Sequence, residues 1–446
     1  MEYKEFILEK YRAVNQPIII KVNENKLFCI IGENECGKST ILQGIYAFDY
    51  SNDAMTKGVH LEDVGNLYNI GDNNIAKIKA IINIANSKSQ INEIIKKFNP
   101  NAEEIDLDLL TITRTINRTI NGNTFYSIQE MQNEAEEVQN SVSKEVINLL
   151  PKIIYFDDFT DPLPNKINLK DEQLRTWINV VDLLIQSIDN EARLTIKNLL
   201  DSNSGDNLVK SICASMSRKL NTTIVEKWKE IRLEKDVVNF KIEVQFDRSN
   251  STLEFKLIEK VNDQDDRYFD IRQRSKGFYW FFNFVIRTEF NPRGSFGNEK
   301  GAIFLFDEPG AYLHVSMQNS LCEKLKLLSN KNVVVYCTHS PELIDYETID
   351  KTWICYRDMS NKGNILLKMA EDFYQLNKLD KKRKQIIIEP LINKSIIRDL
   401  NNLKKDKNEK FKGTKEILRK AGSVLYEELK DIATTTVAKT IKELNE

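Results

Sequence analysis

Four short apolar runs stand out from the pattern of hydrophobic and polar positions along the chain. A continuous apolar run of this kind is typical of a strand buried on both faces. The runs end in a glycine-rich loop, in acids or in a histidine, and they cover residues 27–31, 153–156, 302–306 and 333–337. After the first run, Ile41, Ile45 and Phe48 recur at helical spacing. The pattern therefore predicts a buried strand, a loop and a helix in direct succession.

Alternating apolar and polar residues predict antiparallel strands elsewhere. The stretch "LTITRTINRTINGNTFYSI" alternates around Asn121-Gly122, which is a strong hairpin turn signal. The stretches "VVNFKIEVQFD" and "STLEFKLIEK" alternate on either side of Asn250 and Ser251 and predict a second hairpin. Residues 49–105 are poorly patterned, and within them "IAKIKAIINIAN" predicts a helix. A further helix is predicted up to Leu150.

The segment from residue 171 to about 235 has helical periodicity, interrupted by "DSNSGDN". One apolar face comprises Leu174, Trp177, Val181, Leu184 and Ile188, and a second comprises Leu208, Ile212, Met216, Leu220, Ile224 and Trp228. Two helices packed on the main body and a protruding helical hairpin are equally compatible with this pattern. The region after residue 376 is rich in lysine, contains "KKRK" at 381–384, and has a helical pattern over 416–444.

Composition restricts the function classes. The chain has 446 residues, of which 41% are hydrophobic and 29% are charged, with a formal net charge of -2. Two or three compact units are expected, and a globally basic nucleic-acid-coating protein is disfavoured. The six cysteines form no Cys-x-x-Cys pair, which favours reduced thiols. There is no apolar segment typical of a signal peptide or a membrane span. We therefore expect a cytoplasmic protein.

The loop after the first strand carries the most specific chemistry. Gly32-Glu33-Asn34-Glu35-Cys36-Gly37-Lys38-Ser39 matches the phosphate-binding pattern GxxxxGK[ST], and it lies between a predicted strand and a predicted helix. Backbone N–H groups and the helix N-terminus can bind phosphate oxygens there. Lys38 would bridge the β- and γ-phosphates, and the Ser39 hydroxyl would bind Mg²⁺. The predicted nucleotide-binding residues of the loop are Gly32, Asn34, Glu35, Cys36, Gly37, Lys38, Ser39 and Thr40.

Two later strands end in residues that complement this loop. Asp307 and Glu308 follow "IFLF", where Asp307 can hold Mg²⁺ and Glu308 can polarise the attacking water as a general base. His339 follows "VVVYCT", where it could contact the γ-phosphate. We therefore predict Asp307 and Ser39 as metal ligands and Glu308 and His339 as catalytic residues.

Most of the chain separates the glycine loop from the acids, which is characteristic of the ABC class of ATPases. "DEPGAYLH", residues 307–314, resembles the Walker B motif and D-loop of that class, with His314 in place of the usual final Asp. "THSPELID" resembles the H-loop, and "RSKGFYWFFNF" resembles the aromatic signature, of the OLD-family ATPases of bacteria and phages. The resemblance covers residues 1–48 and about 150–345 and implies ATP and Mg²⁺ as cofactors. It also implies that Ser275 and Gly277, with the charge of Lys276, contact the γ-phosphate of ATP held by a second subunit. A Q-loop glutamine has no clear counterpart.

The C-terminal region departs from the OLD and Gabija pattern, in which a TOPRIM nuclease domain follows. Glu389 after "KQIII" resembles the start of such a domain, but the later aspartates form no Asp-x-Asp pair for two-metal cleavage. The Asp-x-Asp pair of Asp106 and Asp108 lies far upstream. We therefore expect no nuclease activity in this chain.

The resemblance implies an ATP-hydrolysing subunit of a bacterial anti-phage defence system of the PARIS or Septu type. It would form a homodimer, or a higher oligomer, around two ATP molecules and would regulate a separate effector, a nuclease. One alternative is a RecF/SMC-like repair or chromosome-maintenance ATPase that binds DNA directly, and another is a non-hydrolysing scaffold. A transporter ATPase is disfavoured because the signature is not LSGGQ.

The expected fold is an α/β ABC-type head, with a mixed sheet, an antiparallel β-subdomain, a helical insertion and a helical C-terminal tail. The expected organisation is an N-terminal lobe with the glycine loop, a helical insertion or hairpin, a C-terminal lobe with the remaining motifs, and a basic helical tail. The boundaries are 1–170, 171–235, 236–375 and 376–446.

Overall fold

A computed structural model provides the structure of the chain. It describes residues 1–22, 26–53, 75–117, 124–157, 163–189, 191, 193–231, 240–262, 265–290, 301–344, 352–358 and 363–369. The strands are β1 (Glu2–Glu9), β2 (Ile18–Lys21), β3 (Leu27–Ile31), β4 (Ile75–Asn83), β5 (Leu109–Asn117), β6 (Thr124–Ile128), β7 (Ile153–Phe156), β8 (Ile167–Asn168), β9 (Phe240–Asp247), β10 (Thr252–Asn262), β11 (Asp265–Asp270), β12 (Ile303–Asp307), β13 (Val333–Thr338), β14 (Trp353–Asp358) and β15 (Asn364–Met369). The helices are α1 (Lys38–Tyr46), α2 (Lys88–Phe98), α3 (Glu136–Leu149), α4 (Arg175–Gln186), α5 (Lys197–Leu200), α6 (Asp206–Leu220), α7 (Glu226–Ile231), α8 (Lys276–Glu289) and α9 (Val315–Ser329).

A six-stranded mixed sheet lies at the centre, in the order β15-β14-β3-β13-β12-β7. The strands from β14 to β7 are parallel, and β15 joins the edge antiparallel to β14. Four of the parallel strands, β3, β13, β12 and β7, are the apolar runs of the sequence. Parallel neighbours end at the same edge of a sheet. The sequence motifs that follow β3, β12 and β13 therefore lie at one edge.

Alternate residues of these strands belong to two different cores, which explains why the runs are continuously apolar. Phe304 and Phe306 of β12 point into one cluster with helices α4, α6, α8 and α9 and the strands β9 and β10. Ile303 and Leu305 point into the other cluster with α1, α2, α3 and the N-terminal strands.

A five-stranded antiparallel sheet, in the order β2-β1-β4-β5-β6, covers α1 on the second side. It contains the first predicted hairpin, whose strands β5 and β6 pair as expected, while the turn residues lie outside the described ranges. The predicted helix at residues 75–86 is wrong, because residues 75–83 form strand β4 between β1 and β5. Ala76, Ile78, Ala80 and Ile82 are buried in strict alternation. Ile75, Ile78 and Ile82 also have helical spacing, and this concealed the period of two.

The second predicted hairpin is also confirmed, since β9 pairs with β10 in a four-stranded antiparallel sheet with β8 and β11. The helical faces predicted within residues 171–235 pack against this sheet and against α8, so the helices do not protrude. Trp177, Val181, Leu184 and the face from Ile212 to Trp228 are buried, whereas Leu208 is exposed.

The predicted α/β class, with a mixed sheet, antiparallel sheets and helical parts, is confirmed by these elements. The predicted basic helical tail at 376–446, including Lys381–Lys384, lies outside the described residues, as does Glu389. Asp106 and Asp108 both pair with Lys88 on the surface. Within the described ranges, no helix combines the length and the apolar content needed to cross a membrane.

Candidate nucleotide-binding site

The loop between β3 and α1 has the backbone that the glycine pattern predicts. Gly37 adopts φ = 110°, and a Cβ there would lie 2.3 Å from Ile365 Cδ1. A Cβ on Gly32 would lie 2.1 Å from the Cys355 carbonyl oxygen. Both positions therefore require glycine, for the left-handed conformation in one case and for close packing in both. Gly37 is also the N-cap of α1, so the first N–H groups of this helix point to the loop.

The ammonium group of Lys38 lies on the inside of this loop. Its Nζ donates to the carbonyl oxygens of Gly32, at 3.1 Å, and Glu33, at 3.0 Å. It also lies 3.0 Å from Nε2 of His339. The side chain is only 6% exposed, so its charge acts in a partly desolvated environment.

Glu308 and His339 complete a cluster with this lysine. Glu308 Oε1 lies 2.9 Å from His339 Nε2 and 3.8 Å from Lys38 Nζ. Glu308 adopts φ = 49°, an uncommon conformation for a residue with a side chain. Its backbone N–H donates to Cys337 O, and its Oε2 accepts from the His339 N–H, both at 3.1 Å. These bonds hold a conformation of the kind that concentrates at functional sites.

Asp307 has different partners from its neighbour Glu308. Its Oδ2 accepts from the Tyr155 hydroxyl and its Oδ1 from the Cys337 thiol, both at 2.7 Å. Burial, and then the charge of Asp307, raise the pKa of Tyr155 and of Cys337 well above their ordinary values. Both groups therefore stay protonated as neutral donors at physiological pH.

The remaining loop residues divide by exposure. Asn34, Glu35 and Ser39 are exposed, and Thr40 is partly buried at the start of α1. Cys36 is buried, and a hydrogen bond from the Cys355 thiol lowers its pKa to about 7 against the opposing effect of burial. The charge of Lys38 lowers this pKa further.

Ser275, Lys276 and Gly277 lie at a different place, at the N-terminus of α8. They line a cavity of about 660 Å³ together with Tyr312 and His314. Lys276 Nζ lies 5.4 Å from the centre of the Tyr312 ring, and Ser275 caps the helix by accepting from the Phe278 N–H. Among the described residues, none of the loop 32–40 lines this cavity. The structure thus brings Lys38, Asp307, Glu308 and His339 together and places residues 275–277 elsewhere.

Three residues near the site have no place in the sequence motifs. Tyr155 and Cys337 bind Asp307, and Gln43 of α1 donates to the Tyr155 hydroxyl at 3.3 Å. Gln43 follows Ser39 by one helical turn, which is a signal visible in the sequence. Buried Gln318 of α9 connects the segment after β12 with the segment after β13. It donates to Gly310 O and accepts from the Ser340 hydroxyl.

Comparison with known proteins identifies the class of this site. A sequence model described as an AAA ATPase domain matches residues 1–344, which is more than half of the chain. The chain therefore belongs to the AAA ATPase domain family, whose members share an ATPase domain.

A curated relative is the uncharacterized protein MJECL43 of Methanocaldococcus jannaschii, 30% identical over 118 residues. The match covers 26% of this chain and 31% of the archaeal protein, so the chain spans about a third of that relative's length.

Solved structures of SMC heads match the chain at low sequence identity. A head bound to the C-winged helix domain of ScpA matches with a TM-score of 0.46 and 14% identity, covering 84% of this chain and 100% of that chain. The SMC head domain from Thermotoga maritima matches with a TM-score of 0.39 and 11% identity, covering 83% and 99%.

Proposed function

We propose that this site binds ATP with Mg²⁺ and hydrolyses it. The observation that supports this most is the convergence of Lys38, Glu308 and His339 beside Asp307 at the carboxyl edge of the central sheet. Lys38 would leave the carbonyl oxygens of its loop to bind the β- and γ-phosphates. Glu308 would orient and deprotonate the attacking water. His339 would hold Glu308 in place and face the γ-phosphate.

The chain's residues fit the magnesium ion that such a reaction requires. The Asp307 carboxylate accepts from two neutral donors, the Tyr155 hydroxyl and the Cys337 thiol, and neither donor brings a positive charge that would compete with a cation. Ser39 is exposed at the start of α1, on the helix that follows the phosphate loop. Asp307 and Ser39 would hold Mg²⁺, which stabilises the negative charge of the phosphates. Gly32, Asn34, Glu35, Cys36, Gly37 and Thr40 would complete the loop around these phosphates.

A second copy of the chain would complete the site. The cavity at Ser275, Lys276 and Gly277 is separate from the loop of its own chain, as expected if it faces a nucleotide on another subunit. The exposed Lys276 and the helix N-terminus at Ser275 both favour an anion there. The proposed assembly is a homodimer, or a higher oligomer, with the AAA ATPase domains of two chains around two ATP molecules. ATP can favour the closed dimer only by binding it more tightly than the open state.

For the biological role, we propose an ATP-hydrolysing subunit of a bacterial anti-phage defence system that acts in the cytoplasm. The resemblance of "DEPGAYLH" and "THSPELID" to the OLD-type motifs supports this role. In it, opening and closing of the dimer would regulate a separate effector subunit, a nuclease. A near-neutral net charge of -2 does not favour DNA as the primary ligand.

The test is ATP turnover by the purified protein, with and without duplex DNA, for the wild type and Glu308→Gln. Glu323→Gln, an exposed change on α9, is the matched control. We expect hydrolysis that Glu308→Gln abolishes, that Glu323→Gln leaves intact and that DNA does not change. Strong stimulation by DNA would instead favour a repair-type ATPase. ATP binding without hydrolysis in any condition would contradict the catalytic role and leave a scaffold.

A further inference from the structure

Two neighbouring strands each contribute one hydrogen-bond donor to Asp307. Strand β12 lies between β7 and β13, with Asp307 directly opposite Cys337 and Leu305 directly opposite Tyr155. Leu305, Asp307, Cys337 and Tyr155 lie on the face of the sheet that α1 covers. The Tyr155 side chain is long enough to bridge two positions along the strand and reach Oδ2 of Asp307. Both carboxylate oxygens are therefore fixed from opposite sides.

The Tyr155 hydroxyl is in turn tied to the helix that follows the phosphate loop. Gln43 Nε2 donates to it at 3.3 Å, and Gln43 Oε1 accepts from Arg12. Ser39 and Gln43 are one helical turn apart and therefore share a face of α1. The hydrogen bonds thus connect the helix of Ser39 with the carboxylate of Asp307. The ring of Tyr155 also packs on Tyr46 of the same helix, with the ring centroids 5.5 Å apart.

The two adjacent carboxylates are held by different kinds of group. Glu308 lies close to Lys38 and His339, whereas Asp307 accepts from an uncharged hydroxyl and an uncharged thiol. Each bond to Asp307 uses one of the lone-pair positions of its oxygen and leaves another available. This arrangement fixes the direction of the carboxylate while leaving its charge to a cation.

We propose that Tyr155 is a positioning residue for the divalent cation, with Cys337 as the second support. It holds Asp307 at a set distance from the helix of Ser39, and it thereby determines how tightly the site binds the metal. This inference rests on the proposed function, because it requires that Asp307 and Ser39 hold Mg²⁺ beside ATP. Outer hydrogen-bond partners of metal ligands affect metal affinity by about 10- to 100-fold in other proteins.

The test is the affinity of Tyr155→Phe for Mn²⁺, measured by the EPR signal of free Mn²⁺ in the presence of a non-hydrolysable ATP analogue. Phenylalanine keeps the ring contact with Tyr46 and removes only the hydroxyl. We expect about tenfold weaker Mn²⁺ binding, with unchanged binding of a fluorescent ATP analogue in EDTA. The matched control is Tyr126→Phe, which removes a buried hydroxyl that donates to Phe48 O away from Asp307. It should lose stability without losing metal affinity.

Equal Mn²⁺ affinity in the wild type and Tyr155→Phe, with nucleotide binding intact, would overturn the positioning role alone. A wild type that binds no nucleotide would instead contradict the proposed function, and the positioning role with it. If Tyr155→Phe does not fold, the pair Cys337→Ala and Cys337→Ser decides the question. Serine keeps a donor to Oδ1 and should bind Mn²⁺ more tightly than alanine, and equal affinities would contradict the proposal.

Discussion

His339 and Glu308 hold each other at two points. The His339 ring nitrogen Nε2 lies 2.9 Å from Glu308 Oε1, and the His339 backbone N–H donates to Glu308 Oε2 at 3.1 Å. The two residues follow neighbouring parallel strands, so the register of β12 and β13 brings them together. The same carboxylate oxygen of Glu308, Oε1, lies 3.8 Å from Lys38 Nζ, farther than from the histidine ring.

The first prediction concerns this pairing. We expect His339→Ala to lower the rate of ATP hydrolysis by on the order of 10²-fold, because the general base loses its orientation. Nucleotide affinity should change little, since the loop and Lys38 stay in place. Steady-state turnover and equilibrium binding of a fluorescent nucleotide measure the two effects separately. His339→Gln keeps an N–H donor and should retain part of the activity. Undiminished turnover in His339→Ala would contradict this role.

The second prediction concerns Gly37. Alanine at this position would be strained at φ = 110° and would also clash with Ile365. We expect Gly37→Ala to lose nucleotide binding and about 1–2 kcal/mol of stability from the left-handed backbone alone. Urea denaturation and nucleotide titration provide the measurements.

Two further variants separate strain from clash at Gly37. The double variant Gly37→Ala/Ile365→Ala should relieve the clash but not the backbone strain. Its nucleotide binding should therefore recover only in part. Gly205→Ala is the control, because a Cβ at Gly205 meets nothing within 4 Å. Full recovery in the double variant would show that the backbone conformation is unimportant.

The third prediction concerns the buried Arg114, which ties the antiparallel sheet to the end of α1. Its guanidinium donates to Ala47 O at 2.6 Å and to both carboxylate oxygens of Asp53, and its side chain is fully buried. Arg114→Met should lower the free energy of unfolding by about 1–3 kcal/mol, because the Ala47 carbonyl oxygen and the partly exposed Asp53 carboxylate lose their donor. Arg218→Met, on an exposed face of α6, should cost less than about 0.5 kcal/mol. Chemical denaturation measures the free energy of unfolding of both variants. Equal values for the two would contradict the prediction.

The fourth prediction concerns two cysteines with opposite pKa shifts. The Cys355 thiol lowers the pKa of Cys36 to about 7, whereas burial raises the pKa of Cys213 to about 11. Alkylation follows the thiolate fraction. The alkylation rate of Cys36 should therefore rise between about pH 6 and 8 and then level off, while that of Cys213 should still be rising at pH 9.

Mass spectrometry of an iodoacetamide time course measures both sites in one sample. In Cys355→Ala, the midpoint of the pH dependence of Cys36 alkylation should move to higher pH. The variant removes the contact that lowers the pKa of Cys36 most. Bound nucleotide should slow the reaction at Cys36 and not at Cys213. A common midpoint for the two cysteines would contradict the predicted difference.

The phosphate loop and the residues that end β12 and β13 were predictable, because each is recognised from a few consecutive residues of the sequence. A short apolar run predicts a strand buried on both faces, and the glycine pattern, the acid pair and the histidine each follow such a run directly. The α/β class and both hairpins followed from the same kind of local pattern. Strand β4 did not, because Ile75, Ile78 and Ile82 have helical spacing as well as alternate burial. Its pairing with β1 and β5 decided between the two periods.

The sequence by itself determined the phosphate loop and which residues end the central strands. The tertiary structure alone decided that β7 and β13 flank β12, so that Tyr155 and Cys337 meet Asp307. It also decided that Ser275 to Gly277 lie in a cavity apart from their own phosphate loop. Strand order and helix placement depend on contacts between residues far apart in the chain, and a local pattern of apolar and polar residues does not encode which strands become neighbours.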